Sequence, residues 1–183
     1  MDLKDFEDKL GIRVSEGKAV IPFWGRPYTV SAHGIQGPEG RKPHLSTCVI
    51  LCKYLLMCPS YAPRAADWVT FKDFKDAAPL ISSFATTVTN PIATMFSGRS
   101  SALESACQRI GGYPPAETFS YDVCIKFDAL PRIPLLLLFN DRDEEFTAQC
   151  AVLFEKRTEQ YLDMECVAML GMLLYEYLKV EAE

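Results

Sequence analysis

Hydrophobic and polar residues change rhythm several times along the chain, and each change marks an element. Leu3, Phe6 and Leu10 recur at helical spacing with Gly11 behind them, which predicts a short helix closed by a left-handed glycine. The run IRVSEGKAVIPF reads as two β-rich arms around a Glu16-Gly17 turn. GRPYTVSAHG supplies a third strand, with Pro27 near its start, where a missing donor is tolerated. The glycines and prolines of HGIQGPEGRKP predict a loop.

From His44 to Met57 the pattern predicts a helix with Leu45, Val49, Cys52, Leu55 and Leu56 as its apolar stripe. DWVTFKDF reads as a short edge strand leading into a helical turn. Residues 79–97 are helical in pattern but broken at Asn90-Pro91, with Pro91 in the first turn of a second helix. SALESACQRIGG carries a start and a stop: Ser101 with Glu104 fits a capping box, and Gly111-Gly112 fits a C-terminal cap.

In YDVCIKFD, Tyr121, Val123, Ile125 and Phe127 alternate onto one face, the mark of a half-buried strand. IPLLLLF is apolar on both faces and belongs inside a sheet. The short link between these strands favours antiparallel pairing. CAVLF reads as another strand. Residues 163–179 read as a last helix capped by Asp163, apolar almost all round, which predicts deep burial or a partner surface. The fold expected is α+β: an antiparallel-dominated mixed sheet of N-terminal and C-terminal strands, with helices from the middle of the chain and the C-terminus packed on it.

Composition narrows this picture. The chain has 183 residues, 49% hydrophobic and 23% charged, which predicts one globular domain over residues 1–183. The net charge of −5 is uneven, because residues 141–183 hold eleven acids against four bases. No basic cluster alternates with aromatics, which argues against a nucleic-acid partner. The acidic start MDLKDFEDKLG is not a secretory leader, and CVAMLGMLLYEYL is too short to span a membrane. Seven irregularly spaced cysteines then favour reduced thiols in a cytoplasm over a disulfide framework.

Candidate chemistry gathers in a few places. In PRIPLLLLFNDRDEEF, alternation would set Asp141, Asp143 and Glu145 on one side, where they could hold a hard cation or raise one another's pKa. The structural alternative is a solvated turn that blunts a strand end. Arg132, held between two prolines, suits a carboxylate or phosphate clamp, or else a local ion pair with Asp128 or Asp141. Arg26 in WGRPY is a weaker case of the same kind. Trp24, Trp68, Tyr28 and Phe71 could line a pocket for a flat ligand or simply fill a core. Cys48 and Cys52 share a helical face but fall short of a four-ligand zinc site.

Several markers stand in order along the chain: IPFWGRPYTV, KYLL, DWVTFKDF, IGG, PRIPLLLLFNDRDEEF, AVLFE and YLDMECVAMLG. With them the chain resembles the domain-of-unknown-function family 3786, found mostly in anaerobic bacteria and archaea, over roughly residues 11–178. It departs from the family where Lys53 replaces a histidine, Thr147 a proline and Glu155 an aspartate. Some relatives add a four-cysteine iron–sulfur segment like that of corrinoid proteins; this chain does not contain one.

The resemblance implies a non-enzymatic cofactor- or ligand-binding accessory protein of anaerobic metabolism, linked to a corrinoid, another tetrapyrrole or an iron–sulfur cluster. Its partner would be a small-molecule cofactor or a redox protein. The residues expected to contribute are Arg132, Asp141, Asp143, Trp68, Tyr28 and Arg26, with the ligand between WGRPY, DWVTF and Arg132. Two alternatives stand beside this. One is an enzyme that holds a small anionic substrate with Arg132 and uses an acid of the cluster as base. The other is a protein-interaction subunit or homodimer without ligand, with the C-terminal helix as its dimer face.

Overall fold

A computed structural model describes residues 3–64 and 67–182. The first helix, α1 (Leu3–Leu10), ends at Gly11 with φ +65°. A four-stranded antiparallel meander follows: β1 (Arg13–Ser15), β2 (Lys18–Phe23), β3 (Arg26–Ser31) and β4 (Gly34–Gln36), in that spatial order. β4 lies within the stretch expected to be loop; Gly34 turns the chain so that Ile35 pairs with Val30. The Glu16-Gly17 and Trp24-Gly25 turns both have positive φ at both central residues, which matches the right-handed twist of the flanking strands.

A second antiparallel sheet has the order β5-β8-β7-β6. It consists of β5 (Trp68–Thr70), β6 (Val123–Leu130), β7 (Ile133–Asn140) and β8 (Gln149–Glu155). The α+β class is as expected, but the strands divide into two sheets and every pairing is antiparallel. β7 is an interior strand with Ile133 through Phe139 all buried. β5 is an edge strand running into a 3-10 turn at Phe71–Asp73. The two sheets meet through β2 and β6, where the Trp24 amide donates to the Ala129 carbonyl at 3.0 Å.

Helix α2 (Leu45–Leu56) starts at His44 as expected, but it is turned about its axis. Thr47, Ile50, Leu51 and Tyr54 are buried, while Leu45 and Leu56 are 73% and 80% exposed. Apolar residues surround most of this helix, so two stripes fit its period. Tyr54 decides between them by donating its buried hydroxyl to the Leu10 carbonyl at 2.6 Å.

Residues 81–96 form one continuous helical rod: α3 (Ile81–Phe84), a π-helical stretch Ala85–Thr89, and α4 (Asn90–Phe96). The expected break at Asn90-Pro91 does not occur. Pro91 would press on the carbonyl four residues back in an α-helix. The wider π turn avoids this, and the Asn90 amide reaches five residues back to the Ala85 carbonyl.

Helix α5 (Ser100–Arg109) begins one residue before Ser101, and the expected Ser101–Glu104 capping box does not form. Its end at Gly111-Gly112 is as expected, with the Gly112 amide on the Cys107 carbonyl at 2.8 Å. The last helix, α6 (Met164–Ala182), is capped by Asp163, which accepts from the Cys166 amide at 3.0 Å. Its Val167, Leu170, Leu174 and Leu178 are buried in a hydrophobic cluster that, among the described residues, runs through both sheets and α1 to α6. Lys53 pairs with Asp163 at 2.7 Å.

Candidate functional site

A cleft of about 500 Å³ opens between the β2–β3 hairpin, the end of α5 and the last turns of α6. That volume lies in the range of small-molecule sites. The hairpin gives Phe23, Trp24, Gly25, Arg26 and Tyr28; α5 and its stop give Arg109, Ile110 and Gly111; α6 gives Tyr177, Val180 and Glu181.

The aromatic rings are set edge to face. Trp24 and Tyr177 have centroids 5.5 Å apart at 87°, and Phe23 and Tyr28 stand 5.6 Å apart at 85°. Such geometry matches positive ring edges to negative faces. Trp24 also packs on Phe127 at 5.7 Å, so the wall is anchored in the second sheet. A Cβ added at Gly25 or Gly111 would meet nothing within 4 Å, so both glycines border open space.

Trp24 stands out in conformation as well as position. Its φ of +49° is left-handed, which for a non-glycine residue costs about 1–2 kcal/mol. Its Nε1 is buried without a hydrogen-bond partner among the described residues, a further penalty of about 1–3 kcal/mol. Strain of this kind persists where the surroundings enforce it, and it clusters at binding sites.

The charged groups of the cleft are unevenly matched. Arg109 Nε pairs with Glu181 at 2.7 Å, and its Nη2 donates to the Glu181 carbonyl near the end of α6. Arg26 has no ion pair among the described residues and is exposed at the mouth. Burial pushes the Tyr177 phenol up to about 12; Tyr28 adds to the rise and Arg26 opposes it. Burial raises Tyr28 as well, against the pull of Arg26. Both phenols therefore stay protonated at neutral pH and able to donate.

Of the six residues singled out in the sequence, this cleft brings together Arg26 and Tyr28. Arg132 is elsewhere, in the β6–β7 turn, where its Nε and Nη2 donate to the Lys9 and Asp8 carbonyls at the end of α1. Its partners are these carbonyls, not Asp128 or Asp141. Trp68 lies on β5 beneath the Lys126 ammonium, 5.9 Å from its ring centroid.

The acidic cluster does not converge on a common point. Asp141 accepts from the Gly98 and Ser100 amides at 2.5 and 3.2 Å, and so caps α5 from a distant part of the chain. Asp143 accepts from the Glu145 and Phe146 amides at 2.8 and 2.7 Å, closing a tight turn. Burial lifts the Asp141 carboxyl, but the Gly98, Arg142 and Ser100 groups outweigh it and the net shift is downward. The Phe146 and Glu145 amides lower Asp143.

A second, smaller cleft of about 300 Å³ lies between the 3-10 turn after β5, the π-helical stretch and β8; Thr70, Phe71 and Phe84 are among its walls. The DWVTF segment thus borders this cleft and not the first. The Arg109–Glu181 side of the larger cleft was not singled out in the sequence. Its one visible signal there was Gly111-Gly112, which marks where α5 must stop beside the hairpin.

The larger cleft does not fit the metal cofactors implied by the family context. Neither histidine nor cysteine lines it, so it offers no imidazole to a corrinoid cobalt and no thiolate to an iron–sulfur cluster. No group of three or more histidine, cysteine or acidic side chains converges among the described residues. Five cysteines are half-buried or exposed and two are buried, all as free thiols. Among the described residues, no helix is long and apolar enough to cross a membrane.

No curated protein and no solved structure matches the chain. The profile described as "Domain of unknown function (DUF3786)" matches residues 2–177, nearly the whole length, and the chain belongs to that family.

Proposed function

We propose that this protein is a non-enzymatic binding protein for a compact organic molecule, acting as an accessory of anaerobic metabolism, with the cleft around Trp24 as its site. The observation that carries this reading is the convergence of four aromatic side chains and two arginines on one opening from three separated parts of the chain. Apart from the tyrosines, the ionisable lining groups are Arg26, Arg109 and Glu181, and the last two hold each other. That set is better suited to holding a molecule than to moving its protons.

Arg132 and Asp141 flank β7 at opposite ends, about 30 Å apart along an extended strand. A substrate gripped between them has no support in this geometry. The buried side of α6 is taken up by the chain's own core, which leaves Met172 and Val180 as its large exposed apolar residues. A dimer through this helix therefore has little apolar surface to draw on.

Native mass spectrometry of protein purified without oxygen from an anaerobic host tests the reading. A small organic adduct is expected, and it should be lost in Tyr28→Ala, whose half-exposed position tolerates truncation. An adduct that survives Tyr28→Ala together with Arg26→Gln would move the site elsewhere.

A further inference from the structure

The chemistry of the cleft narrows the class of molecule it takes. Resting on the reading of this cleft as a ligand site, we propose that its ligand is a planar aromatic anion, whose carboxylate or phosphate is held by Arg26 while its ring lies against Trp24 and Tyr177.

The charge balance points to an anion. Glu181 is engaged by Arg109, so among the described residues Arg26 is the uncompensated charge at the opening, on a chain whose net charge is −5. A positive site on an acidic molecule attracts an anion locally even though the molecule as a whole repels it. The same charge disfavours the other ligand of aromatic boxes, a quaternary ammonium.

Geometry supports Arg26 as the anchor. It pairs with Phe23 across the hairpin and directly follows the Trp24-Gly25 turn. Pro27 behind it restricts its backbone to extended conformations. The guanidinium fork thus stands on a fixed base, and its planar donors match the two oxygens of a carboxylate or phosphate. The Tyr28 and Tyr177 hydroxyls, protonated at neutral pH, add donors without adding negative charge.

Calorimetric titration with naphthalene-2-carboxylate, naphthalene-2-carboxamide and a naphthyl trimethylammonium salt tests the proposal, with inorganic phosphate as the anion without a ring. The carboxylate is expected to bind roughly tenfold or more tightly than the amide, the scale of a charge-assisted hydrogen bond. Arg26→Gln should remove that difference, and Arg26→Lys should restore part of it. Arg26 is exposed, so both variants should melt with the parent protein.

Equal binding of the amide, or preference for the ammonium, would overturn the anion assignment and leave the cleft as a ligand site. Phosphate binding as tightly as the naphthoate would overturn the role of the ring. If none of the aromatic probes binds, the site and its ligand class fall together. A discrimination untouched by Arg26→Gln would place the anion on other residues and overturn the proposal.

Discussion

Single side chains in this protein repeatedly serve partners far away in sequence. Asp141 caps a helix that begins some forty residues earlier, through the Gly98 and Ser100 amides. Asp143, two residues on, closes only its own turn. The two carboxylates therefore predict different outcomes. Asp141→Ala should destabilise the fold by about 1 kcal/mol, the usual effect of removing an N-cap. Asp143→Asn, which keeps an oxygen for the turn, should leave the melting midpoint within about a degree or two. Thermal melts of the two variants side by side check this, and equal losses would contradict the assignment. Sequence alone could not separate these acids, because alternation orders them along a strand but does not show which amides wait across the molecule.

At the scale of elements, most of the secondary structure was legible, since hydrophobic period and turn residues act locally. The Glu16-Gly17 hairpin turn of the first sheet, the alternation of β6 and the buried run of β7 follow from such signals. What escaped depended on neighbours. The orientation of α2 rests on Tyr54 reaching Leu10, a contact 44 residues long. The continuity of residues 81–96 rests on a π turn that absorbs Pro91.

The same helical rod predicts the effect of a change in α6. A Cβ at Gly171 would sit 2.5 Å from the Phe84 ring and 3.2 Å from Val88. Phe84 in turn is stacked on Phe71 at 4.4 Å and cannot easily withdraw. Gly171→Ala should gain about 1 kcal/mol of helix propensity but lose more through overpacking, about 1–3 kcal/mol. A denaturant melt should therefore show net loss of stability, whereas a gain would mean that α6 stands off from the rod.

For the whole molecule, acid sensitivity follows from the downward-shifted aspartates. Asp73, Asp141, Asp143 and Asp163 all lie below the ordinary value of 3.8. For Asp163, burial raises the carboxyl, but Lys53 and the Cys166 amide outweigh it. Below that value the unfolded chain binds protons that the folded chain does not, so stability rises with pH there. These contributions are complete above the ordinary range and are lost as pH falls through the depressed folded values. Urea midpoints measured between pH 6 and pH 2 should stay level and then drop, and Asp141→Ala should flatten the drop. The cleft itself was only half legible at this scale: WGRPY announced one wall, but the opposite wall comes from the ends of α5 and α6, which sequence distance conceals.

The short turn at Arg132 also bears on how the chain is made. The last carbonyls of α1 are held by Arg132 and by the Tyr54 and Tyr161 hydroxyls, partners lying 44 to 152 residues further on. During synthesis the first helix emerges long before most of these donors do, and an isolated eight-residue helix is marginal in water. Helix α1 is thus expected to become secure only once the ribosome has released the β6–β7 hairpin and the segment leading into α6.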